Sequence, residues 1–129
     1  MIGKVIKSLL IANADLLALV PEASIFPYVL NENTALPAII YTIDSADPEY
    51  TKDGWVHDII TFSVLSISKN FNTLQNLIIQ VRLALELKEG DFGDITIEKI
   101  YVTGMNEKPN LFEDVYINTL NFKVLMKSY

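Results

Sequence analysis

The 129-residue chain contains no cysteine, one histidine (His57) and one arginine (Arg82). The absence of thiols excludes disulfides, a thiolate nucleophile and zinc–thiolate sites, and fits an intracellular origin. One histidine excludes a His-rich metal site. With ten basic against sixteen acidic residues, a net charge of −6 and a sequence pI near 4.6, the chain lacks the Lys/Arg footprint of a sequence-independent nucleic-acid binder. Gly3, Gly54 and Gly104 are isolated, so no phosphate-cradling motif exists. No apolar run approaches the roughly eighteen residues of a membrane span. The run Leu9 to Ala12, behind Lys4 and Lys7, is shorter than a signal-peptide core, and Asp15 follows at once. No signal peptide is expected.

Apolar side chains are plentiful: hydrophobic residues make up 50% of the chain. The length suits a single domain over residues 1–129. A domain of this size leaves roughly a third of its unfolded-chain surface exposed, so some apolar groups face outward. A contiguous apolar patch would mark a protein interface and hints at oligomerisation.

Residues 3–20 carry helical spacing in Val5, Ile6, Leu9 and Leu10, with Asn13 or Asp15 capping a second short helix that Pro21 stops. Residues 24–29 read as a short extended piece and residues 31–34 as a polar loop. Pro37 opens a strand over about 38–45, with Ile39, Tyr41 and Ile43 on one face. A return strand covers about 56–68. Its apolar parity flips after Val64, which predicts a β-bulge near Val64-Leu65. Residues 72–88 form the clearest helix, through Leu74, Leu77, Ile78, Val81 and Leu85. Asn72 or Thr73 caps its start, Gly90 lies past its end, and Ile79 and Leu83 widen its apolar face. Strands at about 95–105 and 113–127, joined through residues 106–110, form a second hairpin, with Leu120, Phe122, Val124 and Met126 on one face. The expected fold is α+β: a single antiparallel sheet of about four strands, in two long hairpins, packed against N-terminal and central helices.

Chemical motifs are sparse. Asp58 follows His57, but adjacent strand residues point to opposite faces, so Asp58 is poorly placed to orient His57 as a catalytic base. Asp44, Asp47 and Glu49, or Asp91 and Asp94, lack the calcium-loop spacing and read as solvated turn carboxylates. Gly90-Asp91-Phe92-Gly93 has the bare form of a G-x-x-G loop, but its acids repel phosphates, and it reads as a helix C-cap and turn. No carboxylate pair has a special environment. No catalytic, cofactor-binding or metal-ligating residues are assigned. The longest exposed feature is the charged hairpin tip from Asp44 to Gly54. Its residues Asp47, Pro48, Glu49, Tyr50 and Lys52, with Trp55, are the candidate partner contacts, since aromatics are enriched at interface hot spots. Trp55 reads equally as cover for the edge of the core.

Several landmarks in order resemble the tail-completion, or tail-terminator, proteins of long-tailed bacteriophages and prophages. They are Ala14-Asp15-Leu16-Leu17-Ala18-Leu19-Val20, Ile25-Phe26-Pro27, Leu36-Pro37-Ala38-Ile39-Ile40-Tyr41, Ala46-Asp47-Pro48, Ile60-Thr61-Phe62-Ser63-Val64, the Leu74-to-Leu85 helix and Asp114 to Phe122. The family often carries an arginine before its "I-y-P" and another entering the second strand. Here Ser24 and His57 or Asp58 stand there, so no subunit-contact role for such arginines carries over.

The resemblance implies a non-enzymatic protein of the virion, assembled in the host cytoplasm and located at the tail–head junction. It would cap the tail tube as a homo-oligomeric ring, typically a hexamer, end polymerisation and meet the head connector. DNA would only pass through the pore, past acids that repel its phosphates, and no cofactor or membrane is involved. The alternatives are another ring component, a tail-tube or head-connector subunit, or a small-molecule-binding module.

Overall fold

The computed structural model describes residues 2–28, 35–109 and 115–128. The expected loop at residues 31–34 lies outside them. Helices α1 (Ile2–Ile11), α2 (Ala14–Leu19) and α3 (Phe71–Leu85) cover one face of a seven-stranded sheet. The strands are β1 (Ile25–Pro27), β2 (Ala38–Thr51), β3 (Gly54–Ser68), β4 (Gly90–Phe92), β5 (Ile95–Ile97), β6 (Tyr101–Pro109) and β7 (Tyr116–Ser128). Their order is β1-β2-β3-β7-β5-β4, with β6 also paired to β7. The α+β class agrees with the sequence reading, but the sheet is larger than four strands and not wholly antiparallel, because β1 runs parallel to β2. The additional strands are three-residue segments, too short to show a period-two pattern.

The helix break falls where the sequence places it. Leu16 N–H donates to the Asn13 side chain, capping α2. The Asn13 amide nitrogen also lies 3.3 Å from both the backbone and side-chain oxygens of Gln80, which ties this cap to α3. At α3 the cap is Asn70, not Asn72 or Thr73: its side chain accepts from Thr73 N–H at 3.0 Å. Phe71 therefore enters the first turn, and the helix ends at Leu85, with Glu86 already extended. Gly90 belongs to β4 rather than to a helix cap, and the turn after Phe92 is carried by Gly93, whose φ is +65°.

The predicted bulge near Val64-Leu65 is absent. Pairing of β3 with β7 runs unbroken from Asp58↔Met126 to Ser68↔Tyr116. Instead of slipping, the strand changes what each face carries. Ser66 and Ser68 stay buried on the helical side, where Ser68 accepts from Asn70 N–H at the start of α3. Leu65 and Ile67 turn to the opposite face, level with Ile40 and Ala38 of β2. The register shifts lie in β2, between Ile43 and Ser45 and again between Glu49 and Tyr50, and in β6 between Val102 and Gly104. The second hairpin is also rearranged. Residues 106–109 are strand rather than connection, and the expected strand at 95–105 is two strands, β5 and β6.

The core lies between helices and sheet. Leu74, Leu77, Val81 and Leu85 of α3 and Val5, Ile6 and Leu10 of α1 meet Ile60, Phe62 and Val64 of β3 and Leu120, Phe122 and Val124 of β7. Phe62 and Phe122 face each other across the β3–β7 pair, fully buried, with ring centroids 5.1 Å apart and planes inclined by 14°. Such a stack adds to the area term that dominates the core.

Phe62→Ala leaves a cavity at the sheet centre and is expected to cost about 3–5 kcal/mol in urea unfolding. Asn70→Ala removes only the α3 cap, so about 1 kcal/mol is expected.

Candidate interaction surface

β2 and β3 are longer than the strands beside them. β1 reaches β2 only as far as Pro27↔Tyr41, with Tyr28 N–H adding one bond to the Tyr41 carbonyl, and β7 reaches β3 only from Asp58 onward. Pairing between β2 and β3 nevertheless continues to Thr51↔Gly54 around Lys52 and Asp53. Residues 46–57 are therefore a two-stranded arm rather than a charged loop. Gly54, with φ +116°, allows the reversal. Pro48 sits inside β2, which is possible because the β2 edge is unpaired there among the described residues, so no backbone donor is missed.

Asp47, Pro48, Glu49, Tyr50 and Lys52 are all exposed on this arm, Tyr50 at 67%. Trp55 pairs with Tyr50 through the backbone, and its side chain lies outside the described residues. His57 is engaged in a way the sequence does not reveal. Its Nε2 lies 2.6 Å from Glu49 Oε2, directly across the ladder. At the root, Ser63 donates to Asp44 Oδ2, Thr42 donates to Asp44 Oδ1 at 3.3 Å, and the Ser45 and Thr61 hydroxyls are 2.6 Å apart. The bulge at Asp44 turns that carboxylate onto these hydroxyls. Among the described residues no group of three or more His, Asp or Glu side chains is placed to hold a metal ion, and no helix is long and apolar enough to cross a membrane.

Beside the arm's root is a groove of about 490 Å³. One wall is α1, through Gly3, Lys4, Lys7 and Ile11, and the floor is Tyr41 and Ile43 of β2. Tyr28 and Glu22 close the far side. Tyr28 holds φ at +64°, an uncommon conformation for a bulky residue, and is 60% exposed. Burial pushes the Tyr41 phenol above its ordinary pKa. Sequence reasoning misses this groove, although Gly3, Lys4, Lys7 and Ile11 fall at helical spacing on one face. A second exposed apolar feature, Ile79 and Leu83 of α3 with Leu87 beyond it, continues the widened helix face.

No family model matches the sequence, and no curated protein matches it. Solved structures do match in fold. The chain superimposes on one described as "Virion of native gene transfer agent (GTA) particle" with a TM-score of 0.76 and 18% sequence identity, covering 94% of this chain and 90% of that one. At this identity the likeness is one of fold, and it extends over nearly the whole of both chains.

Proposed function

We propose that this protein is a non-enzymatic structural component of a phage-like virion. It caps the tail tube as a closed homo-oligomeric ring, ends tube polymerisation and offers a surface to the head connector. The observation that carries this reading is the near-complete fold likeness to a chain of a gene transfer agent virion, a phage-like particle. The landmark residues of the tail-completion family support the finer role.

Physical features agree. A ring built from one kind of subunit needs a heterologous contact, in which one patch meets a different patch on the next copy. The arm is such a patch. An isolated two-stranded ribbon is at best marginally stable in water, so a partner that covers it gains both contact area and order. The exposed Ile79, Leu83 and Leu87 supply further apolar surface for contact with other virion proteins.

Replacing residues 50–56 with Asn-Gly closes the ribbon at the Glu49↔His57 pair with a turn suited to a two-residue hairpin. The core is untouched, so circular dichroism and thermal unfolding should stay near wild type. Light scattering after size exclusion, alone and after co-expression with the tail-tube protein of the same phage or prophage, should show rings or capped tubes for the wild type and their loss for the shortened chain. Unaltered assembly removes the arm from the reading. A wild-type chain that never associates, and that a small molecule in the groove stabilises, replaces the reading with a binding module.

A further inference from the structure

Two stretches of open strand edge lie on opposite sides of the sheet. The first belongs to β2. β1 accompanies β2 only to Pro27↔Tyr41, and Tyr28 then leaves the line with φ at +64°. The Tyr41 carbonyl accepts from Tyr28 N–H, so by strand alternation Ile43 also presents its backbone groups to the β1 side. The register shift between Ile43 and Ser45 moves that alternation on by one, to Ala46 and Pro48. Pro48 has no N–H and limits the edge. The second edge belongs to β6, which pairs with β7 and, among the described residues, with no other strand. The Leu87-Lys88 segment, bonded to Ile100, limits that edge at its start, and Pro109 limits it at its end.

What each edge carries is complementary. Met105 and Glu107 pair with Leu120 and Asn118, which are buried on the helical side, so both point to that side of β6. Met105 is 54% exposed there, on a strand edge with no cover. Glu107 accepts at Oε1 from Gln75 at 3.2 Å and Asn118 at 3.3 Å, both neutral amides, and so keeps its charge. On the helical side of the β2 edge lies the groove of about 490 Å³, floored by Tyr41 and Ile43. Its α1 wall carries Lys4 and Lys7 and no acid, with Glu22 on the far side. β6 runs opposite to β2 within one molecule, because β2, β3, β7 and β6 are successively antiparallel.

We infer that β6 of one copy adds antiparallel to the open β2 edge of the next, Glu107 beside Ile43 and Met105 beside Ala46, with Met105 at the groove and Glu107 facing Lys4 and Lys7. This deepens the ring reading and rests on it. The sheet then continues from copy to copy with its helices on one side. Two different edges are joined, so the contact repeats head to tail and permits closure. It also covers two strand edges that would otherwise template unwanted pairing.

Absence of native cysteine makes the contact directly testable. Ser45 and Asn106 pair with Thr61 and Thr119 on the face away from the helices, and neither supplies the charge or apolar contact invoked. A chain carrying Ser45→Cys and Asn106→Cys, treated with a short bis-maleimide, should give a ladder of multimers on a denaturing gel. Either single variant should remain monomeric there. Glu107→Lys should abolish the ladder and the assembly, as should Lys4→Glu with Lys7→Glu. All three reversals in one chain should restore both, because every interface then has its charges exchanged. Met105→Asp, at a site exposed in the single copy, should block assembly while the folded spectrum persists. Hydrogen exchange at residues 43–46 and 105–107 should slow on assembly, and unchanged exchange overturns the strand pairing. Rings that form without a ladder and are indifferent to charge reversal overturn it too and leave the ring reading standing. Cross-linked dimers from Asn106→Cys alone overturn it in favour of β6 pairing with β6. A wild-type chain that forms no oligomer at any concentration or on a tube end overturns both readings.

Discussion

β3 exchanges backbone hydrogen bonds with β7 from Asp58 to Ser68, but with β2 it continues through Gly54. That inequality of pairing length organises the molecule. Where β3 has two neighbours, its alternate residues Ile60, Phe62 and Val64 are sealed beneath α1 and α3, and the Phe62–Phe122 stack sits at the centre. Where it has one neighbour, nothing covers either edge among the described residues, and the same two strands become an arm. The rigid part and the reaching part are one continuous ribbon, so a load on the arm passes directly into the core strands.

The helical layer is held by polar devices at its joints as well as by apolar burial. Asn13 satisfies the start of α2 and reaches Gln80 of α3, while Asn70 caps α3 directly from the end of β3. Each of these side chains meets a backbone donor that would otherwise lack an intrahelical partner. The exposed Arg82 pairs with the half-buried Glu86 one turn on, near the end of α3, where the cation also complements the helix dipole. Other charges follow the architecture rather than the average composition. Acids gather along the arm, whereas both charged side chains of α1 are lysines.

Elements with a repeated pattern are legible in the sequence. The α3 core positions, the alternation of Leu120 to Met126 and the helix break at Asn13 each have a local cause that the residues display. Weak or conflicting local signals mislead. Ser66 and Leu65 suggest a bulge because a half-buried strand normally keeps one apolar face. Here both faces are partly buried, and the serines belong beside the start of α3. The α3 cap falls two residues earlier than expected because Asn70, Asn72 and Thr73 are all competent capping residues, and only the path of the chain out of β3 selects among them. The charged residues 44–54 resemble a loop, since acids and a proline disfavour strands. Cross-strand pairing with residues 54–61 overrides that preference.

Sequence by itself determined the absence of thiol and His-cluster chemistry, the acidic balance, the mixed α and β elements, and the residues that fill the core, because composition and periodicity act locally along the chain. Tertiary structure decided the seven-stranded order, the projection of the arm and the groove between α1 and β2. Lys4 and Ile43 lie far apart in sequence and become neighbours only when α1 packs over β2, and the length of β7 decides where β3 stops being covered. Those relations depend on which strands end beside which, and no segment carries that information alone.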